Sequence, residues 1–191
     1  KNWKMILILS ILSGGIFNVF MNISLTTSSV ISSSLMPAFA PALIIVFSFL
    51  IYRSVITLLQ SIGVIISFIG FINIIIKGSI TNLSNLDFVI GDLWMLSAVF
   101  SWSIYSSLLK KLPKNFNNIS FLFLIFFIGN IFVAPFYVYE SIKYNSFFIN
   151  EDYGTILIFY CGIGPALISY LLWIKAIKIV GPNKASLFLN L

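Results

Sequence analysis

Apolar residues run along this 191-residue chain in long blocks. The blocks do not alternate with period two, as the strands of about 10 residues in a membrane barrel do. A membrane-spanning helix needs about 20 mostly apolar residues. Six blocks reach that length, at roughly 5–25, 29–51, 54–77, 90–109, 119–139 and 154–178. A seventh begins near Asn183 and is cut off at Leu191; with Lys1 rather than Met at the front, the expectation is a piece of a longer protein. The first three spans are joined by links as short as residues 26–28 and little more than Arg53, which makes consecutive helices antiparallel. The longer loops, 78–89 and 140–153, are too small to fold alone, so function is expected among the helices.

Composition changes the picture from apolar blocks to a membrane protein. The chain is 60% hydrophobic and 8% charged, where a soluble domain carries about 25% charged residues. Mean hydropathy is +1.08. The expected class is an all-α polytopic membrane protein whose surroundings are the lipid bilayer.

The net charge of +6 is a topology signal rather than a nucleic-acid signal, because the basic residues sit at the ends of the blocks. If Lys1 is cytoplasmic, so are Lys4, Arg53, Lys110, Lys111, Lys114, Lys175, Lys178 and Lys184, leaving only Lys77 and Lys143 outside. All five acids, Asp87, Asp92, Glu140, Glu151 and Asp152, then also lie outside. Both ends of the piece are expected in the cytoplasm. There is no His, and Cys161 is the single cysteine. No catalytic cluster, metal site or cofactor motif is expected.

Uncharged polar groups inside the spans are the candidate chemistry. Asn18 and Asn22 lie one turn apart on the first span and are expected to face the bundle interior, either as interhelical glue or as pocket lining. Asn73 and Asn130 are single amides, read as glue. Pro37 and Pro41 each remove a helical hydrogen bond and bend the second span. Gly63, Ser67 and Gly70 form a small-residue stripe, read as a helix-packing face. Gly162, Gly164 and Pro165 loosen the sixth span, after which Tyr170 and Trp173 share a face. Lys175 either snorkels to the interface or meets an anionic substrate. In the fourth span, GDLWMLSAVFSWSIYSSLLKK, rings and hydroxyls are too many for a helix that faces lipid all round. Trp102 and Tyr105 are the candidates for an inward face, and Trp94 for an interfacial belt.

Four stretches carry a family resemblance. GDLWMLSAVFSWSIYSSLLKKLP resembles the opening of the second repeat in EamA-type proteins of the drug/metabolite transporter superfamily. LISYLLWIKAIKIVGPNKASLFLNL resembles their aromatic-rich helix, basic turn and next helix; SLTTSSVISSSLMPAFAPAL and LLQSIGVIISFIGFINI resemble earlier helices. The resemblance implies ten helices in two inverted five-helix repeats, of which this chain would hold helices three to eight and the start of nine. Residues 1–77 would then close the first repeat, 78–90 would be an external loop, and 91–191 would open the second. Setting Ser24-Leu25 against Ala176-Ile177 places Asn18 opposite Tyr170 and Met21 opposite Trp173. The sequence departs from the family where Tyr52, rather than Glu, precedes Arg53.

Together these readings predict a transporter of a small organic metabolite, amino acid or drug, working by alternating access. Export and a bacterial inner membrane follow from the resemblance alone. Asn18, Asn22, Trp102, Tyr105, Tyr170 and Trp173 would line the substrate cavity, with Pro37, Pro41 and Pro165 as hinges. The alternative is a non-transporting membrane scaffold.

Overall fold

A computed structural model describes residues 3–75, 89–113, 116–144 and 152–189. Lys1, Lys77, Asp87, Lys114, Glu151 and most of the two longer loops lie outside the described residues. Every regular element described is helical. Helix α1 runs Trp3–Thr27 and is π-helical over Ile11–Ile16. Helix α2 starts as Val30–Leu35, tightens to a 3-10 turn at Met36–Phe39 and continues as Ala40–Tyr52. Helices α3 (Leu58–Ile75), α4 (Ile90–Leu108) and α5 (Asn118–Tyr144) follow. Helix α6 comprises Asp152–Cys161, a π-helical stretch Gly162–Ile168, and Ser169–Val180. The short α7 (Pro182–Ser186) comes after Gly181, whose φ of +83° suits a residue without Cβ.

Four of these helices are long and apolar enough to cross a membrane: Trp3–Thr27, Ser32–Tyr52, Asn118–Lys143 and Gly154–Val180. The protein is therefore a multi-pass integral membrane protein. The six expected spans all appear as helices, but α3 and α4 fall short of that measure. Helix α3 has 18 residues. Helix α4 has 19, about 28 Å at 1.5 Å per residue and so close to the hydrocarbon thickness. It lacks hydropathy rather than length, for a physical reason: it is the hub of the bundle and does not need to match lipid.

Helix α4 packs against α1 on one side and α2 on another. Its hydroxyls account for that position. Ser101, Ser103, Ser106 and Ser107 are all buried. Ser101 donates to Leu12 O of α1 at 2.7 Å, and Ser107 donates to Ile44 O of α2 at 3.2 Å. Tyr52 of α2 donates to Ser107 O at 3.0 Å. Ser103 bonds its own helix at Val99 O. A hydroxyl in an apolar interior needs an acceptor, and here most of the acceptors belong to neighbouring helices.

The opposite end of α4 is fixed by Gly91-Asp92. A Cβ on Gly91 would lie 2.6 Å from Ser28 N, so only glycine admits the end of α1 at this distance. Buried Asp92 then accepts a hydrogen bond from the Ser28 hydroxyl. Asp92→Ala is expected to lower stability by about 1–3 kcal/mol, because Ser28 loses its acceptor. Asp92→Asn, which keeps a carbonyl oxygen, is expected to lose less. Thermal melting of the two variants in detergent distinguishes them.

Helix α5 crosses α1 at glycine. A Cβ on Gly129 would sit 2.7 Å from Gly14 Cα, and one on Gly14 would sit 2.6 Å from Ile125 O. The stripe read from the sequence as a packing face behaves differently. A Cβ on Gly63 or Gly70 would meet nothing within 4 Å. Helix α3 instead docks through Phe71, stacked on Phe39 at 4.7 Å between ring centroids, with Phe68 edge-on at 5.2 Å. The large rings hold the small residues away from the contact. Asn73 and Asn130 also depart from expectation. Each is exposed and donates to a carbonyl of its own helix, Ile69 O and Phe126 O.

Candidate functional site

Two buried apolar clusters flank α4. One joins α1, α5 and α6 around Leu9, Tyr105, Phe121 and Ile174; the other joins α2 and α4 around Met36, Leu43, Met95 and Val99. Trp102 packs against both. Its ring centroid is 5.1 Å from Phe17, 5.3 Å from Tyr170 and 6.0 Å from Trp173. These rings form one wall of an open cavity of about 1010 Å³. The rest of the lining is small or apolar, including Cys161, Pro165, Ala166, Ala176 and Phe188. Its polar contributions come from Asn18, Ser169, Tyr170 and Trp173, and no charged side chain is among the described lining residues.

Each polar tip is held from behind. Trp173 Nε1 donates to Ser106 Oγ at 3.2 Å. The Tyr170 hydroxyl donates to Ser13 O at 3.4 Å. The Asn18 amide donates to Ser13 O and Gly14 O, both at 3.0 Å. These bonds orient the ring faces toward the cavity rather than the polar atoms. The arrangement suits stacking and apolar contact with a small organic molecule.

Of the residues singled out from the sequence, Asn18, Trp102, Tyr170, Trp173 and Pro165 come together in this lining. Two do not. Asn22 is exposed and outside the lining, although Asn18 sits one turn away on the same helix. Tyr105 is fully buried beneath Trp102, at 5.3 Å between centroids, in the cluster rather than the cavity. Its spacing from Trp102 puts it on a neighbouring stripe of α4, which α1 and α5 cover. Pro37 lies in the 3-10 turn of α2 and lines a side cavity of about 390 Å³ on which Phe17 and Trp102 also border. Pro41 lies just after that turn, near the start of the following helix.

The structure also places residues that were not read as cavity lining. Phe17 is one apolar residue among many. Lys178 donates to Phe116 O at 2.7 Å and Asn118 Oδ1 at 2.6 Å, tying α6 to the start of α5. Lys175, one turn earlier, is exposed beside Asn117 and Asn118 and away from the aromatic cavity. Trp94 packs on Phe20 at 4.9 Å. Among the described residues no group of side chains could hold a metal ion.

A helical membrane protein with an aromatic-walled cavity, uncharged among its described lining residues, beside helices interrupted by π-helical and 3-10 stretches is the class that fold and site define. The chain matches the EamA-like transporter family over residues 1–76 and 89–191, and it belongs to that family. It is 25% identical over 193 residues to "Uncharacterized transporter YyaM" of Bacillus subtilis (strain 168). That similarity covers 100% of this chain and 62% of the relative, so the chain spans about 62% of the relative's length. No solved structure matches the chain.

Proposed function

We propose that the full-length protein is a transporter that moves a small organic metabolite, amino acid or drug across the bacterial inner membrane by alternating access. The carrying observation is the open cavity whose wall is Phe17, Trp102, Tyr170 and Trp173, free of charge among its described residues. Membership of the EamA-like transporter family supports the reading. Aromatic faces would supply binding area, and the bends at Pro37, Pro41 and Pro165 would allow the helices to rock. The clustering of Lys and Arg at block ends supports a cytoplasmic location for Lys4, Arg53, Lys110, Lys111 and Lys184. Export is the direction suggested by family resemblance.

Vesicles containing the full-length protein test this. Flux of at least one compound from a panel of amino acids and cationic dyes is expected. Tyr170→Ala is expected to lower flux per folded molecule. No flux across the panel, with no ligand raising thermal stability, would favour a non-transporting scaffold instead.

A further inference from the structure

Two stretches among the described residues are π-helical, Ile11–Ile16 in α1 and Gly162–Ile168 in α6. Their positions are not independent. The register that sets Ser24 against Ala176 places Ile11 opposite Ile163 and Ile16 opposite Ile168. Each π stretch is followed at once by residues that line the cavity, Phe17 and Asn18 in one case and Ser169 and Tyr170 in the other. A π turn is a helix with one residue too many, and it leaves carbonyls without the usual partner. In α1 the carbonyl of Ser13 is taken by two donors. One is Asn18 of the same helix; the other is the hydroxyl of Tyr170, the residue opposite Asn18 in that register. In α6 Ser169 Oγ reaches back to Gly164 O at 3.3 Å.

We propose that the paired π turns are register-setting points of the cavity, and that Asn18 and Tyr170 are positioning residues that act through the Ser13 carbonyl. The consequence for transport rests on the transporter reading; the coupling itself does not. The amide holds the α1 turn open, and the hydroxyl makes that turn a rest for α6. If either π turn relaxed to α-helical bonding, the residues after it would rotate by up to about 100° about the helix axis. Phe17 or Tyr170 would then leave the wall. The Ser13 carbonyl thus joins two helices that can each shift register, and the joint holds the open arrangement.

Cys161 reports on this without any substrate. It is exposed, lines the cavity and immediately precedes the second π stretch. The test uses the full-length protein, with any cysteine outside these residues replaced by serine, and a small neutral maleimide. Tyr170→Phe removes one hydroxyl, and Asn18→Leu removes the amide at similar size. Tyr170→Phe is expected to slow alkylation of Cys161 about two- to tenfold, the effect of one net hydrogen bond on the open population, and Asn18→Leu, which also loses the bond to Gly14 O, at least as much. The double variant is expected to be little slower than the slower single variant, because the Tyr170 hydroxyl can rest on the Ser13 carbonyl only while the Asn18 amide holds that turn open. Folded single variants that label at the unaltered rate, or rates that multiply in the double variant, would overturn the coupling. Asn18→Ser serves in place of Asn18→Leu if the latter does not fold. Absence of flux with the expected labelling pattern would count against the transporter reading and leave the coupling standing.

Discussion

Gly129→Leu is expected to abolish the folded protein, whereas Gly63→Ala is expected to leave it intact. The two glycines look alike in the sequence, each on an apolar helix. At Gly129 an added Cβ would stand 2.7 Å from Gly14 Cα, 2.8 Å from Gly14 C and 2.9 Å from Gly14 O. All three are backbone atoms, so no rotamer change relieves the clash and α1 and α5 must separate. Even alanine is expected to cost about 1–3 kcal/mol by overpacking. Separation would also disturb the π turn, since Gly14 lies within it. At Gly63 the same Cβ meets nothing within 4 Å, and alanine improves helix propensity by up to about 1 kcal/mol. Folded yield and melting temperature by size-exclusion fluorescence check both. A stable Gly129→Leu protein would mean that the α1–α5 crossing is not as close as described.

Trp102→Ala is expected to lower stability by about 3–5 kcal/mol, the range for removing a large aromatic side chain from a packed site. Trp102 is not fully buried, but it touches both apolar clusters and four aromatic neighbours. Its removal would join the main cavity to the side cavity at Pro37, since the ring borders both. Trp102→Phe keeps part of the partition and is expected to lose less than half as much. Melting temperature measures the loss. Flux per folded molecule then separates a packing role from a cavity role: loss of flux in a folded Trp102→Phe protein points to the cavity.

The sequence made the helices legible because a bilayer demands length and hydropathy, and those can be counted. It also made Trp102, Tyr170 and Trp173 legible, because large rings in the middle of such helices have few other uses. Which face of a helix looks inward was harder. Asn22 and Tyr105 share helices with residues that line the described cavity but lie outside that lining themselves. Spacing along one helix cannot say where its neighbours lie. The glycines of the Gly63, Ser67 and Gly70 stripe meet no close neighbour among the described residues, while a close approach that does appear joins Gly14 to Gly129 across distant parts of the chain. The second π turn falls on the Gly162, Gly164 and Pro165 stretch already read as loosened, and both π turns coincide with the internal register that the sequence had suggested.

The serines of α4 bear on how such a helix enters a membrane at all. A hydroxyl can bond the carbonyl one turn back, as Ser97 does to Leu93 O at 2.8 Å and Ser103 does to Val99 O at 2.7 Å. A helix rich in serine can therefore enter the bilayer alone with every hydroxyl satisfied. Ser101 and Ser107 need only turn to Leu12 O and Ile44 O when α1 and α2 arrive. Assembly then exchanges one acceptor for another rather than rescuing stranded polar groups. A central helix with a charged side chain at its middle would have no such waiting state, and its insertion would depend on its partners being present first.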